Sequence, residues 1–128
     1  MLGTDTKQNH MKLRRNKLDA TFSLYIRTRD GFRCRYCGRT GGIMDCAHIF
    51  SRRHAGTRHD PNNAVCLCRA CHMRFTTEPM EFSSWVNSWM PKAVYEKLRV
   101  NALSVTKFTS ADRAVILADL KRKLKALG

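Results

Sequence analysis

The chain has 128 residues, enough for one domain of ordinary size and hardly enough for two. Lysine and arginine number 24 against 10 aspartates and glutamates, a formal net charge of +14. No run is apolar enough to span a membrane, and the N-terminal residues lack a signal-peptide core. We therefore expect a cytoplasmic protein whose six cysteines stay reduced. The excess of positive charge indicates a polyanionic partner, which we expect to be nucleic acid.

The first part of the chain is predicted to be an arm, a helix and a turn-rich cysteine segment. Residues 1–17 are polar and basic, and we expect a flexible arm that can follow a phosphate backbone. Residues 18–30 carry apolar side chains at helical spacing: Leu18, Phe22, Tyr25 and Ile26. In residues 32–42, glycines permit the tight turns that two cysteines on one metal require.

The middle of the chain predicts the order strand, loop, strand, helix. Residues 43–50 are apolar and fit a short strand, and residues 64–68 fit a second one. The segment between them, residues 51–63, is basic and predicted to be a turn-rich loop. A helical pattern begins at Arg69 and ends before Pro79.

Residues 79–128 are predicted to form a C-terminal helical extension packed on the same domain, with helices over 79–90, 91–103 and 109–128. Three aromatic side chains share one face of the first of these helices: Phe82, Trp85 and Trp89. Such a stripe is either core packing or a platform for stacked bases, and the helical spacing favours core. The helices could cap the core or dimerise, which leaves monomer and homodimer both open.

Two C-x-x-C pairs predict a metal site: Cys34 with Cys37, and Cys68 with Cys71. Four thiolates suit tetrahedral Zn²⁺, and a closed site of this kind is structural because it has no open position for water. The alternative is four unrelated buried cysteines, which the paired spacing disfavours. The other two, Cys46 and Cys66, fall in predicted strands and are expected to be small core residues.

The polar residues between and beside these pairs carry a family resemblance. The segments "DCAHIF" and "DPNNAVCLCRACHMRF" resemble the HNH (ββα-metal) endonuclease motif in its zinc-ribbon form, over residues 32–76. The resemblance implies an α+β fold, with a small ββα-metal nuclease core at residues 18–78 held together by a four-cysteine zinc site. An N-terminal helix and the C-terminal helices would flank that core.

The resemblance also implies three catalytic roles. His48 would be the general base that activates water, and Asn63 would constrain the loop and help to orient that base. His72 would bind one catalytic divalent cation, Mg²⁺, Mn²⁺ or Ni²⁺. These roles suit phosphodiester hydrolysis, because an imidazole is a competent base at neutral pH and a cation stabilises the charge that develops on phosphate.

One position departs from the family pattern. Many members carry Asp or His directly before the base, as a second metal ligand, whereas this chain has Ala47 there. Asp45 is a candidate replacement, with a strand-edge or turn-capping role as the alternative. The pattern of Asp, any residue, a small residue and His resembles the lambdoid phage NinG/Rap group of recombination nucleases, which would place the protein in a bacterial host cytoplasm.

The loop between the base and the central Asn supplies candidate DNA contacts: Arg52, Arg53 and Arg58. Arginines there would clamp phosphates beside the scissile bond, with a solvated loop as the alternative. Asp60 and Pro61 fit turn chemistry, and His54 and His59 receive no assigned role.

We therefore expect a metal-dependent DNA endonuclease, phage- or prophage-encoded, acting on branched or recombination intermediates. A non-catalytic zinc-ribbon DNA-binding module is the alternative, and an enzyme acting on RNA is a third possibility.

Overall fold

The computed structural model describes residues 17–128, so the predicted arm, apart from Lys17, lies outside the described residues. Its elements alternate a small sheet with helices, which confirms the predicted α+β class. In chain order they are α1 (17–29), β1 (Met44–His48), α2 (Ala55–Arg58), a 3₁₀ turn (Pro61–Asn63), β2 (Ala64–Cys68), α3 (Arg69–Thr77), α4 (Pro79–Trp89), α5 (Lys92–Leu103) and α6 (Ser110–Leu127).

The two strands form an antiparallel hairpin that α3 continues. Met44 pairs with Cys68 and His48 with Ala64, so the last residue of β1 lies opposite the first residue of β2. The first strand is shorter than the predicted 43–50. It ends because the backbone N–H of Phe50 donates to the side-chain oxygen of Asn63, at 2.8 Å, instead of continuing the ladder.

The segment 51–63 is more ordered than the predicted loop. It contains the four-residue helix α2 and the 3₁₀ turn, whose capping residue Asp60 accepts a hydrogen bond from the backbone N–H of Asn62 at 2.9 Å. The turn chemistry predicted for Asp60 and Pro61 is therefore confirmed. Burial also stabilises this segment, because the side chain of Thr57 is fully covered.

The C-terminal helices cover the hairpin on two sides. On one side, aromatic rings of α3 and α4 stack against the cysteine-rich core, with ring centroids of Phe75 and Phe82 5.0 Å apart and those of Phe75 and Trp85 5.7 Å apart. This contact confirms the core interpretation of the aromatic stripe. On the other side, Leu120 of α6 is buried against Leu18 and Phe22 of α1.

A polar contact that the sequence did not reveal joins α1 to β2. Asp30, just after α1, accepts hydrogen bonds from Arg29 and from the backbone N–H of Cys66, both at 2.9 Å. Arg29 also donates to the carbonyl groups of Pro61 and Ala64, at 2.8 Å each. These hydrogen bonds hold the C-terminal end of α1 against the 3₁₀ turn and against β2. Across residues 17–128, no helix has the length and apolar character needed to cross a membrane.

Candidate active site and cysteine cluster

The four predicted zinc ligands converge. The sulfur atoms of Cys34, Cys37, Cys68 and Cys71 all lie within 4.8 Å of one another, and those of Cys37 and Cys68 are 3.8 Å apart. Zn–S bonds of about 2.3 Å in a tetrahedron imply sulfur separations of about 3.8 Å. The donor set therefore fits one Zn²⁺, and the cluster indicates a structural zinc site.

The knuckle that carries the first pair depends on a glycine. Gly38 follows Cys37 with φ of 77°, in the left-handed region that favours glycine, and its N–H donates to the carbonyl of Cys34 at 2.9 Å. This turn brings the two thiols of the pair to the same side of the chain.

The ionisation of the thiols also argues for a cation. Burial raises the pKa of the Cys34 thiol, but surrounding backbone N–H groups, including that of Cys37, lower it to about 7. Burial and the neighbouring thiols raise the pKa of Cys71. The two thiols therefore differ in how readily they ionise, and a bound cation would favour the thiolate form of all four cysteines.

The two remaining cysteines are core residues, as predicted. Cys66 is fully buried and Cys46 packs beside Leu18 and Phe22. Burial raises the pKa of Cys46 to about 12 and that of Cys66 to about 11, so both remain neutral thiols.

His48, at the end of β1, is oriented by the loop. Its Nε2 lies 2.9 Å from the carbonyl oxygen of Arg58. A carbonyl accepts, so Nε2 carries the hydrogen and the neutral ring keeps its lone pair on Nδ1. Burial lowers the pKa of His48 below its ordinary value, which keeps the imidazole neutral at pH 7.

Asn63 is fully buried and holds the loop rather than touching His48. Its side-chain oxygen accepts from the Phe50 N–H, and its side-chain nitrogen donates to the carbonyl groups of Phe50 and Thr57, both at 3.0 Å. Thr57 is followed by Arg58, whose carbonyl receives the His48 hydrogen. Asn63 therefore positions α2, and α2 positions His48.

Asp45 and His72 meet across the hairpin and α3. Asp45 Oδ2 lies 3.0 Å from Nδ1 of His72. Arg69 donates to both carboxylate oxygens of Asp45, at 2.9 and 3.0 Å, and this hydrogen-bonded arginine, followed by His72, lowers the pKa of Asp45. Ala47 is buried in the core opposite Val65, so the position before the base serves packing here.

An open cleft of about 840 Å³ brings these groups together. Its walls include His48, Asp45, His72, Arg52 and Arg69. Asn63 lies behind this surface, because its side chain is fully covered. The cleft thus combines a neutral imidazole, an imidazole–carboxylate pair and three arginines, since Arg27 lines it as well.

The three predicted DNA-contacting arginines have different surroundings. Arg58 and Arg52 both bond to Asp19 of α1, with Arg58 Nε 3.0 Å and Arg52 Nη2 2.9 Å from its carboxylate. Arg53 is exposed. His59 also reaches Asp19, with its Nε2 2.7 Å from Oδ1. Burial alone would raise the pKa of Asp19, but hydrogen bonds from Arg58 and His59 lower it to about 2.

The cysteine cluster and most of the residues that line the cleft lie in one continuous stretch of sequence that matches a family model. Residues 34–78 match the HNH endonuclease family model. The matched HNH region is about a third of the 128-residue chain and contains both cysteine pairs, His48, Asn63 and His72. Neither a curated protein nor a solved structure matches the chain.

The HNH region and its cysteine cluster together indicate a metal-dependent nuclease with a nucleic acid substrate. In the part of the chain that the structure describes, the cysteines form the only group of three or more possible metal ligands. A cation in the cleft would therefore have few protein ligands, with water and phosphate completing its shell, as Mg²⁺ commonly accepts.

Three charged residues that line the cleft were not predicted from the sequence: Asp19, Arg27 and Arg69. Arg69 carried a usable signal, because it lies three positions before His72 and therefore shares a face of α3 with it. Asp19 carried none, since an acid on an amphipathic helix is ordinarily a solvated residue.

Proposed function

We propose that the protein is a metal-dependent HNH-type DNA endonuclease, with residues 18–78 as its nuclease core and residues 79–128 as a helical extension on that core. The observation that carries the proposal is the cleft between the HNH region and α1, where a base with a defined free nitrogen faces the same space as the Asp45–His72 pair. A DNA-binding zinc ribbon alone has no need of this combination.

His48 is the general base of this proposal. With Nε2–H donated to the Arg58 carbonyl, Nδ1 accepts a proton from water while the water oxygen bonds to phosphorus. The phosphorus bond to the leaving oxygen breaks, and that oxygen takes a proton from solvent. Asn63 acts indirectly, because its three hydrogen bonds hold the loop that supplies the Arg58 carbonyl.

His72 and Asp45 are the proposed holders of the catalytic cation. A divalent cation bound there would supply positive charge for the phosphate and the leaving oxygen. The donor set of one imidazole and one carboxylate fits Mg²⁺, Mn²⁺ or Ni²⁺ with water in the remaining positions. Arg69, which neutralises Asp45 in the described structure, would turn toward the phosphate when a cation takes its place.

Arg52, Arg53 and Arg58 are proposed to contact DNA phosphates next to the scissile bond. Arg52 lines the cleft itself, and its exposed side chain shares Asp19 with Arg58. One carboxylate for two arginines leaves net positive charge beside the cleft, which favours a phosphate backbone there.

The finer features of the proposal come from the resemblance to the NinG/Rap group. They are a phage or prophage origin, a host-cytoplasmic location and a preference for branched or recombination intermediates. A net charge of +14 supports DNA binding but does not select among DNA shapes.

Cleavage assays test the proposal. Zinc-loaded protein is incubated with supercoiled plasmid, a four-way junction, single-stranded DNA and an RNA hairpin, with Mg²⁺, Mn²⁺, Ni²⁺ or no added divalent cation. Cation is withheld rather than chelated, because a chelator would also strip the cysteine cluster. Cation-dependent cleavage of DNA is expected; DNA binding without any cleavage would identify a zinc-ribbon binding module, and cleavage of RNA alone would identify a ribonuclease.

Two histidine variants assign the base. His48→Ala is expected to lower the cleavage rate by about 100-fold or more and to keep zinc and DNA binding. The matched control is His54→Ala, another loop histidine, whose side chain makes no capping hydrogen bond to α2. Equal cleavage by His48→Ala and the parent would remove His48 from the mechanism.

A further inference from the structure

A second pocket, of about 410 Å³, opens between the loop of residues 51–63 and the C-terminal extension. Arg52, Arg53 and Arg58 form one wall, and Thr106, Lys107 and Arg113 line the pocket from the α5–α6 connection and α6. The pocket therefore joins the HNH region to the C-terminal extension, two parts of the chain that are far apart in sequence.

The pocket is strongly cationic. Among residues 17–128 no acidic side chain lines it, while five arginine and lysine side chains do. Arg52 and Arg58 share one carboxylate, that of Asp19. Arg53, Lys107 and Arg113 form no ion pair with any acid in the described part of the chain.

The nearest acids in sequence are occupied elsewhere. Asp112, beside Arg113, accepts the backbone N–H of Thr109 at 2.9 Å as part of the cap of α6. Asp60 accepts the backbone N–H of Asn62. Five cations against the single shared carboxylate of Asp19 leave net positive charge in a concave surface, and a bound anion would offset the repulsion among them.

The pocket is continuous with the cleft. Arg52 lines both spaces, so the two cationic surfaces adjoin at this side chain. The two walls are also held at a close approach, because a Cβ built on Gly56 of α2 would lie 2.3 Å from the carbonyl oxygen of Asn101 on α5. The close contact between α2 and α5 thus fixes the position of the C-terminal extension relative to the loop of residues 51–63.

We propose that this pocket binds a backbone phosphate of the DNA substrate, flanking the scissile one, with Lys107 and Arg113 as contacts supplied by the C-terminal extension. The assignment rests on the proposed nuclease function for the identity of the polyanion. It gives the C-terminal helices a role in holding substrate in addition to covering the core.

A binding experiment tests the pocket without relying on cleavage. The double variant Lys107→Gln/Arg113→Gln is compared with Lys121→Gln/Lys125→Gln, which removes the same charge from exposed positions of α6 outside the pocket. Binding of a short fluorescent DNA duplex is measured at several salt concentrations without added divalent cation. The pocket variant is expected to bind about 10-fold more weakly, with a salt slope smaller by about 0.9 for each lost phosphate contact, and the control is expected to change little.

Equal affinities and slopes for the two double variants would overturn the proposal. A second readout is acylation of lysine amines, followed by mass spectrometry. DNA is expected to protect Lys107 in the parent protein and to leave Lys121 reactive, and equal reactivity of Lys107 with and without DNA would also overturn it. Since neither measurement uses cleavage, a protein that binds in this way but cuts nothing would refute the nuclease function and leave the pocket intact.

Discussion

His48 and Asn63 are linked through the backbone of the loop between them. Asn63 holds the Thr57 carbonyl, and the next carbonyl, that of Arg58, accepts the hydrogen of His48. The tautomer of the proposed base is therefore set by a residue that does not touch it. Through this arrangement a buried amide can affect the orientation of a side chain in the open cleft.

The pH dependence of cleavage should report His48. Burial lowers its pKa below 6.5, and the protonated ring has no lone pair to accept a proton from water. We expect kcat/KM to rise with pH, to reach half its plateau below pH 6.5 and to stay level through neutral pH. Initial rates at fixed cation concentration measure this, and a midpoint above about pH 7 would contradict the assignment.

Removal of the Asn63 side chain should cost both stability and rate. Asn63→Ala leaves one N–H and two carbonyl groups without their partner in a covered site, an expected loss of about 2–4 kcal/mol in the free energy of unfolding. The control is Asn62→Ala, because Asn62 is exposed and its hydrogen bond to Asp60 uses the backbone N–H. Denaturant unfolding and cleavage rates measure both, and similar results for the two variants would exclude the positioning role.

At the scale of elements, α2 is the link between the active site and the C-terminal helices. It is only four residues long, too short to be stable alone, and it is held by the buried Thr57 and by contact with α5. Gly56 makes that contact possible, since any side chain there meets the carbonyl of Asn101.

Gly56→Ala should therefore move α2 away from α5. We expect a loss of about 1–3 kcal/mol in the free energy of unfolding and slower cleavage, because α2 carries the carbonyl that orients His48. Ala55→Ser adds one atom at the exposed neighbouring position and serves as the control. Parental stability and rate in Gly56→Ala would mean that α2 can shift without consequence for the site.

At the scale of the whole molecule, the cysteine cluster joins the segment after α1 to the junction of β2 and α3. It ties residues on either side of the hairpin, so the strands and the start of α3 depend on it. In a small domain with a two-stranded sheet, a bound metal supplies folding free energy that the core alone lacks.

Loss of one ligand should accordingly unfold the HNH region. Cys37→Ser is expected to lose zinc and to lower Tm by more than about 10 °C, because structural zinc contributes about 10 kcal/mol or more. Cys46→Ala, a core cysteine outside the cluster, should keep one zinc per chain with a small change in Tm. Metal analysis and thermal unfolding measure this, and retained zinc in Cys37→Ser would remove Cys37 from the site.

The sequence by itself determined the features that depend on local spacing. The two C-x-x-C pairs predicted the sulfur cluster, and the strand-loop-strand-helix order followed from short apolar runs and turn residues. The motif through His48, Asn63 and His72 predicted the resemblance to the HNH endonuclease family, whose model matches residues 34–78. Within each C-x-x-C pair and each strand or helix the residues are close together in the chain, where spacing constrains geometry directly.

Only the tertiary structure decided which groups surround the candidate site. The bond from His48 to the Arg58 carbonyl, the sharing of Asp19 by Arg52 and Arg58, and the pocket built with Lys107 and Arg113 join residues that no periodicity relates. Such contacts arise when helices pack on a common core, so their partners depend on crossing geometry and on close approaches such as that of Gly56. The spacing of residues along the sequence does not determine that geometry.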